Sequence, residues 1–253
     1  DSVFKIYERI AKRHVKGEYL KQALGELASC KAKTLDALDS VNKRFSGNVN
    51  AKVLTLGGEL AMATLMDFVM KSNGISSCCI ALQDWPIVTD DNFEDAAPIY
   101  ELSKERVDAL IEPLEKGKLV SLAGFLGVTA DGLETVLGRG GSDLTAVFAA
   151  CLLKTHYHTD TLLFKDVPVQ SADPKVVKGQ ATTHVTALTY NEAHKASMMG
   201  MKILQSPAIA LARRFLQTLR VVPIDEPDKY SLIQSETSGS EIVKCLAGKA
   251  GCA

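Results

Sequence analysis

Leu137-Gly138-Arg139-Gly140-Gly141-Ser142-Asp143-Leu144-Thr145-Ala146 is the stretch on which the reading of this chain turns. Three glycines let the backbone take positive φ and approach a ligand closely. Ser142 stands where a helix would begin, ahead of the apolar run 144–153, and its hydroxyl can cap that helix. The N–H groups at a helix start and the helix dipole together favour an anion. Arg139 adds a planar, permanently charged fork suited to a carboxylate or phosphate, and Asp143 sets a carboxylate beside it. By spacing alone the string is either an ordinary glycine turn before a helix or a loop that holds one or two anions.

Outward from that loop, composition bounds the answer. With 253 residues, 46% of them hydrophobic, the chain can bury a sizeable core as one large domain or two small ones. A formal net charge of −1 argues against a nucleic-acid binder that relies on a basic surface. No apolar run reads as long enough to span a bilayer, and no secretory signal pattern opens the chain. Cys30, Cys78, Cys79, Cys151, Cys245 and Cys252 show no C-x-x-C spacing. They read as reduced, mostly buried thiols of a cytoplasmic protein. His156 and His158 form an H-x-H without a cysteine or carboxylate partner at metal-ligand spacing; they read as surface residues, and no protein metal site is expected.

The periodicity predicts alternating helices and strands. Val3, Ile6, Ile10 and Val15 lie roughly on one face of a helix over 2–16, and a second helix carries Leu20, Leu24, Leu27, Leu35, Leu38, Val41 and Phe45. Residues 53–56 read as a short strand running into Gly57-Gly58-Glu59, and a helix over 60–71 stops at Ser72-Asn73-Gly74. Further strands are expected over 75–82, 118–125, 160–167 and 220–224, with another about Leu232-Ile233. A hairpin or loop is expected over 128–135. Ser103 would cap a helix to 114. Thr189-Tyr190-Asn191-Glu192 is a capping box opening a helix whose Met198, Met199 and Met201 would fill the core. Pro207 would begin a helix through 219, and 241–246 reads as a helical tail. Such alternation predicts an α/β fold with a mostly parallel sheet covered on both faces. Ligands of these sheets sit beyond the carboxyl ends of strands, where 57–59, 124–127, 138–143 and Lys165-Asp166 all fall.

The string at 137–146 closely resembles the L-G-R-G-G-S-D-x-T-A signature of aspartate kinases, within the amino acid kinase family. Gly58-Glu59 resembles the family's G-E motif, and Val88-Thr89-Asp90-Asp91-Asn92-Phe93 its T-D-x-x-F-like segment. Gly124-Phe125-Leu126-Gly127 resembles its G-F-x-G turn. Lys165-Asp166-Val167 and Ser171-Ala172-Asp173-Pro174-Lys175 resemble its nucleotide segment. Residues 190–204 resemble the helix ending F-G-A-K-V-L, with Lys202 at the lysine. The resemblance covers roughly residues 5–234.

It implies a three-layer αβα sandwich with a mostly parallel central sheet, forming an amino acid kinase catalytic domain over 1–235. It also implies a tail over 236–253 that opens a regulatory ACT domain. The implied reaction moves the ATP γ-phosphoryl group onto the side-chain carboxylate of L-aspartate, giving 4-phospho-L-aspartate for lysine, threonine and methionine synthesis. ATP and Mg²⁺ are the implied cofactors; L-aspartate and ATP are the partners, with no nucleic acid and no membrane, and a homodimer is admitted. The nucleophile is a carboxylate already ionised at neutral pH, so positioning and charge neutralisation matter more than covalent catalysis.

Carried over residue by residue, Arg139 pairs with the substrate α-carboxylate and Glu59 accepts from its ammonium. Gly58, Gly140 and Ser142 hold substrate or phosphate oxygens, and Phe125 walls the pocket. Asp143 orients a phosphate-binding lysine or the Mg²⁺ shell. Lys165, Asp166, Asp173, Lys175 and Lys202 meet the nucleotide. From the residues alone, Glu59 also reads as a carboxylate on a helix first turn, which does not need the paired glycines, Asp143 as a first-turn helix residue, Phe125 as a core aromatic, and Lys175 and Lys202 as solvated lysines.

The family's opening K-F-G-G-T-S and S-A-M-G loops do not occur, so an N-terminal βαβ unit is expected upstream of Asp1; otherwise the chain is a degenerate, inactive relative. Lys175 stands for the usual arginine, Gln205 for a common histidine, and the nucleotide loop lacks a tyrosine and is one residue short. The competing readings are a sibling kinase acting on acetylglutamate, glutamate, carbamate or UMP, and a non-catalytic aspartate-binding relative.

Overall fold

Gly17, at φ +62°, separates two amphipathic helices, α1 (Ser2–His14) and α2 (Glu18–Lys43). The computed structural model describes residues 2–43, 46–173, 177, 182–201, 204–237 and 243–246. The chain forms two compact units, Asp1–Thr145 and Ala146–Ala253.

In the first unit, α1 and α2 share a core with α4 (Leu60–Ser72). Phe4, Tyr7, Ala11 and Val15 of the first helical segment meet Ala23, Leu27 and Cys30 of α2 and Ala61, Leu65 and Phe68 of α4. The expected inward face holds at its far end, where Val15 is buried and Ile10 packs against this core, but not at its start: Val3 and Ile6 are each 45% exposed. Two apolar stripes compete on this helix, and the one carrying the rings wins, because aromatics bury the most area. Phe4 and Tyr7 meet edge to face at 5.8 Å. On α2 the inward line is Ala23, Leu27, Cys30, Thr34 and Ala37, while Leu35 and Leu38 are exposed; Phe45 lies outside the described residues.

α3 (Gly47–Leu54) starts at Ser46, whose hydroxyl accepts from the Val49 N–H at 3.4 Å. A π-helical turn over Thr55–Glu59 then carries it into α4 without a break. The strand expected over 53–56 is thus helix. Four residues, three of them apolar, cannot distinguish the two periods, and the break at 57–58 hides a continuous helix, Gly47–Ser72, that is long and apolar enough to cross a membrane by length and composition. It places Ala51, Leu56, Leu60, Ala61, Leu65 and Phe68 in the protein interior. Within α4, Asp67 is buried; it accepts from Ser77 Oγ at 2.6 Å and pairs with Lys71 Nζ at 2.7 Å. Asp67→Ala strips Lys71 of its carboxylate and leaves Ser77 Oγ only the Asp67 main-chain carbonyl, at 3.2 Å; it is expected to cost about 2 kcal/mol, less than a fully buried pair because Lys71 reaches water. Urea unfolding checks this; a loss under about 0.5 kcal/mol contradicts it.

β1 (Ser77–Cys79) pairs in parallel with β2 (Leu119–Ser121). β3 (Leu126–Val128) and β4 (Glu134–Val136) form the expected hairpin. Between these strands, α5 (Tyr100–Lys104) and α6 (Asp108–Glu115) replace the single helix expected from 103. Ser103 is not its cap: fully buried, it accepts from the Val88 N–H at 2.9 Å and donates to the Ile99 carbonyl at 2.8 Å. α7 (Gly141–Leu153) follows the hairpin.

The second unit carries a four-stranded sheet, β5 (Thr161–Lys165), β6 (Ala187–Thr189), β7 (Leu219–Pro223) and β8 (Ser231–Gln234), in the order β5-β7-β8-β6. β5–β7 and β6–β8 are parallel, and β7–β8 is antiparallel, so this sheet is mixed. α8 (Tyr190–Met198) opens on the expected capping box: Thr189 Oγ1 accepts from the Glu192 N–H, and Glu192 accepts from the Thr189 N–H at 2.7 Å. Met198 and Met199 are 63% and 58% exposed and do not fill the core. α9 (Ser206–Phe215) stops earlier than expected at Leu216, whose φ of +50° reverses the chain. Residues 243–246 form no helix.

Those four residues strap onto α8. Lys244 Nζ donates to Glu192 at 3.0 Å and to Thr237 Oγ1 at 2.8 Å, and the Leu246 N–H donates to the Ser171 carbonyl at 2.7 Å. Burial alone would raise the Glu192 carboxyl, but hydrogen bonds from the Thr189 backbone and from Lys244 outweigh it and hold the group below its ordinary range. A lowered carboxyl contributes stability in full above the unfolded glutamate value and loses it as pH falls through the folded one. Lys244→Ala is therefore expected to lower Tm at neutral pH, and the gap to wild type should close as the solution is acidified below the ordinary glutamate range. A gap that stays constant in melts across that range would sink the pairing.

Candidate functional site

The site begins with a register change in a helix. Across Thr55–Glu59 the ladder widens, with the Leu60 N–H donating to the Thr55 carbonyl. Such π turns shift every following side chain around the axis. Gly57 makes the turn fit against α2, because a Cβ there would stand 3.0 Å from Thr34 Cγ2. At its end, Glu59 turns its carboxylate to Ser142, whose Oγ donates to Glu59 Oε1 at 3.3 Å.

Ser142 lies in the first turn of α7, which starts one residue earlier than the sequence suggested, at Gly141. Its described hydrogen bond thus runs to the side chain of Glu59 rather than back to the helix N-terminus, a charge-assisted bond in place of a cap. Gly124 brings the neighbouring turn against it; a Cβ at Gly124 would lie 2.9 Å from Ser142 Cβ. Phe125 follows with φ +70°, a conformation uncommon for an aromatic residue and costly unless its surroundings enforce it. They do. The Phe125 N–H donates to Thr145 Oγ1 at 3.0 Å and its carbonyl accepts from Leu137 at 2.9 Å. A Cβ on Gly141 would meet the Phe125 ring at 2.8 Å. Gly138 and Gly140 take φ +64° and +80°. The three glycines thus do different work: two supply positive φ, and the third supplies closeness.

Arg139 sits exposed between the two left-handed glycines, with no ion-pair partner among the described residues. Asp143 is half-buried in the first turn of α7. Glu59, Gly58, Phe125, Arg139, Gly140, Ser142 and Asp143 therefore lie on three joined pieces of one unit: the π turn, the turn at 124–127, and the glycine loop with the first turn of α7. The strand-end placement expected for Gly57-Gly58-Glu59 is replaced by a helical turn.

In the second unit, Lys165 is the last residue of β5 and Asp166 follows it, exposed. Asp173 lies beyond Gln170 and Ser171, which are tied back across the loop: the Ser171 N–H donates to the Thr183 carbonyl at 2.8 Å, and the Thr183 N–H to Ser171 Oγ at 3.0 Å. Lys175 and Lys202 lie outside the described residues.

The model of the amino acid kinase family matches residues 7–223. The chain belongs to the amino acid kinase family. Among its curated relatives, aspartokinase 2 of Bacillus subtilis (strain 168) is 29% identical over 217 residues, covering 84% of this chain and 51% of that protein. An aspartokinase of Thermus thermophilus is 29% identical over 227 residues, covering 87% and 52%. A crystal structure of E. coli aspartokinase III in complex with aspartate and ADP aligns with a TM-score of 0.84 at 22% identity, over 98% of this chain and 54% of that one. The α/β amino acid kinase architecture expected from the sequence is thereby shown. This amino acid kinase chain spans about half the length of the curated relatives it matches.

Three neighbours of the site escaped the sequence. Tyr7 donates its hydroxyl to the Gly58 carbonyl at 3.3 Å. Asp95 places its carboxylate where a Cβ of Gly138 would stand. Thr145 holds both Phe125 and the Gly141 carbonyl, the latter at 2.9 Å. Only Thr145 carried a signal, as part of the quoted string. Tyr7 and Asp95 reach the site through tertiary packing that no local pattern announces.

Proposed function

We propose that this chain is the catalytic region of an aspartokinase, which transfers the ATP γ-phosphoryl group to the side-chain carboxylate of L-aspartate in the cytoplasm. Residues 1–235 form the kinase region, and 236–253 lead toward a regulatory segment. The observation that carries this reading is the Ser142–Glu59 bond, which joins an acidic side chain to the loop bearing Arg139. A free amino acid needs one acceptor for its ammonium and one cationic fork for its α-carboxylate. Glu59 and Arg139 supply that pair. Ser142 and the loop N–H groups then serve the remaining oxygens, and Phe125 gives the pocket an apolar wall. The acceptor carboxylate is its own nucleophile, so no protein base is needed.

Lys165, Asp166 and Asp173 are the described candidates for nucleotide contacts, with Lys175 and Lys202 proposed on sequence. Among the described residues no group of three or more His, Cys, Asp or Glu side chains could hold a metal by itself. Mg²⁺ would enter as the nucleotide complex, since this ion keeps its waters and phosphate oxygens and takes few carboxylates. When bound, it would neutralise charge on the transferring phosphate, and Asp143, in the first turn of α7, is the residue proposed to orient its shell.

A coupled ADP-release assay on the full-length natural protein tests the proposal against L-aspartate, N-acetylglutamate, glutamate, carbamate and UMP. Turnover with L-aspartate is expected. Turnover with another acceptor alone assigns the chain to a sibling activity. Calorimetric aspartate binding without ATP turnover makes it a binding protein.

A further inference from the structure

We infer that Tyr7 is a positioning residue for Glu59: its hydroxyl, donated to the Gly58 carbonyl, braces the π turn that aims the Glu59 carboxylate at the amino acid's ammonium. The inference rests on the aspartokinase reading of Glu59.

The need for a brace is physical. Gly57 and Gly58 are consecutive inside a helix, where glycine is the weakest ordinary former, and the turn between them has abandoned the regular ladder. Left alone, this is the softest point of Gly47–Ser72, immediately before the residue that must hold its direction. Two side chains from the preceding helices close on it. Thr34 of α2 fills the space at Gly57. Tyr7 of α1 is buried, held edge to face by Phe4, and reaches the Gly58 carbonyl at 3.3 Å, one peptide from Glu59. Burial pushes the Tyr7 phenol up, and the neighbouring Glu59 charge pushes it further. The phenol therefore stays protonated, and a donor, throughout the working range. Glu59 is fixed from its other side by Ser142 at 3.3 Å. Its carboxylate is thus held between a bond to its own tip and a brace under its backbone.

Tyr7→Phe removes the brace and keeps the ring. In the full-length natural protein it is expected to raise KM for L-aspartate about three- to tenfold, the size of one neutral hydrogen bond, while kcat and KM for ATP stay within about twofold. In a Glu59→Ala background the same change should add nothing to the aspartate KM, because the side chain it positions is gone. Amide exchange over 55–60 should quicken in Tyr7→Phe without any substrate. Unchanged exchange overturns the inference whatever the protein turns over. So does a fall in kcat and in both affinities that tracks lost Tm, since that would make Tyr7 a packing residue only. A wild-type protein that ignores aspartate overturns the functional reading instead, and exchange still decides whether the brace exists.

Discussion

Arg139→Ala is expected to raise KM for L-aspartate by about 10- to 150-fold while leaving Tm nearly unmoved. The magnitude follows from one hydrogen-bonded charge pair, about 1.5–3 kcal/mol, at about 1.4 kcal/mol per tenfold. The separation of the two effects follows from the structure. Arg139 is exposed and, among the described residues, has no ion pair to lose. Its flanking glycines set the loop by their own φ values of +64° and +80°, not through the arginine side chain. A surface change without a structural partner stays within about 0.5 kcal/mol of stability. Arg139→Lys should recover only part of the loss, because an ammonium is a point charge and cannot make the two parallel bonds of a guanidinium. If kcat/KM for aspartate is unchanged in Arg139→Ala, Arg139 is not in the site and the zwitterion argument falls with it. If KM for ATP alone rises, the loop serves phosphate and the amino acid binds elsewhere.

What the sequence disclosed and what it hid divide along a physical line. The glycine loop was legible because its chemistry is local: φ at Gly138 and Gly140, an arginine between them and a helix start are all written within seven residues. The capping box at Thr189 and the stop at Ser72-Asn73-Gly74 were legible for the same reason, and Gly74 does take φ +79°. Ser142 lies inside the first turn of its helix, one step past the capping position. A serine before an apolar run reads as a cap, but its choice between a backbone N–H and a distant carboxylate depends on where Glu59 stands. Glu59 reads from the sequence as a strand-end residue and closes a helical turn instead, because Val53 to Leu56 has no period long enough to reveal helix. The expected inward faces of α1 and α2 hold at Ile10, Val15, Leu20, Leu24 and Leu27 and fail at Val3, Ile6, Leu35 and Leu38, where two stripes of similar hydrophobicity coexist and only packing selects one. Met198 and Met199 went the same way: methionine spacing marks a helix face but not the presence of a neighbour to cover it.

Gly138→Ala should do more damage to the fold than any other single methyl in the loop, and should take activity with it. At φ +64° an alanine pays about 1–2 kcal/mol in backbone strain. Its methyl would also overlap the Asp95 carboxylate and lie 2.9 Å from Asp95 Cγ. Asp95 cannot retreat as a whole, because its N–H is bound to the Asn92 carbonyl at 2.9 Å and the next N–H, of Ala96, to the Val136 carbonyl at 2.8 Å. Its side chain must rotate away, or the glycine loop must lift. The sum is about 2–3 kcal/mol, or a Tm fall of about 4–10 °C for a unit of this size. Lifting the loop moves Arg139 and Ser142, the latter bonded to Glu59, so under the proposed aspartate site kcat/KM should fall at least tenfold even at temperatures where the variant is fully folded. The two costs separate in a double variant. Asp95→Ala removes the overlap but not the φ strain, so Gly138→Ala in that background should cost only about 1–2 kcal/mol. Equal cost in both backgrounds would mean that Asp95 yields freely and that backbone conformation alone demands glycine at this position. A Gly138→Ala protein as stable and active as wild type would show that the loop does not hold the left-handed turn on which the placement of Arg139 depends.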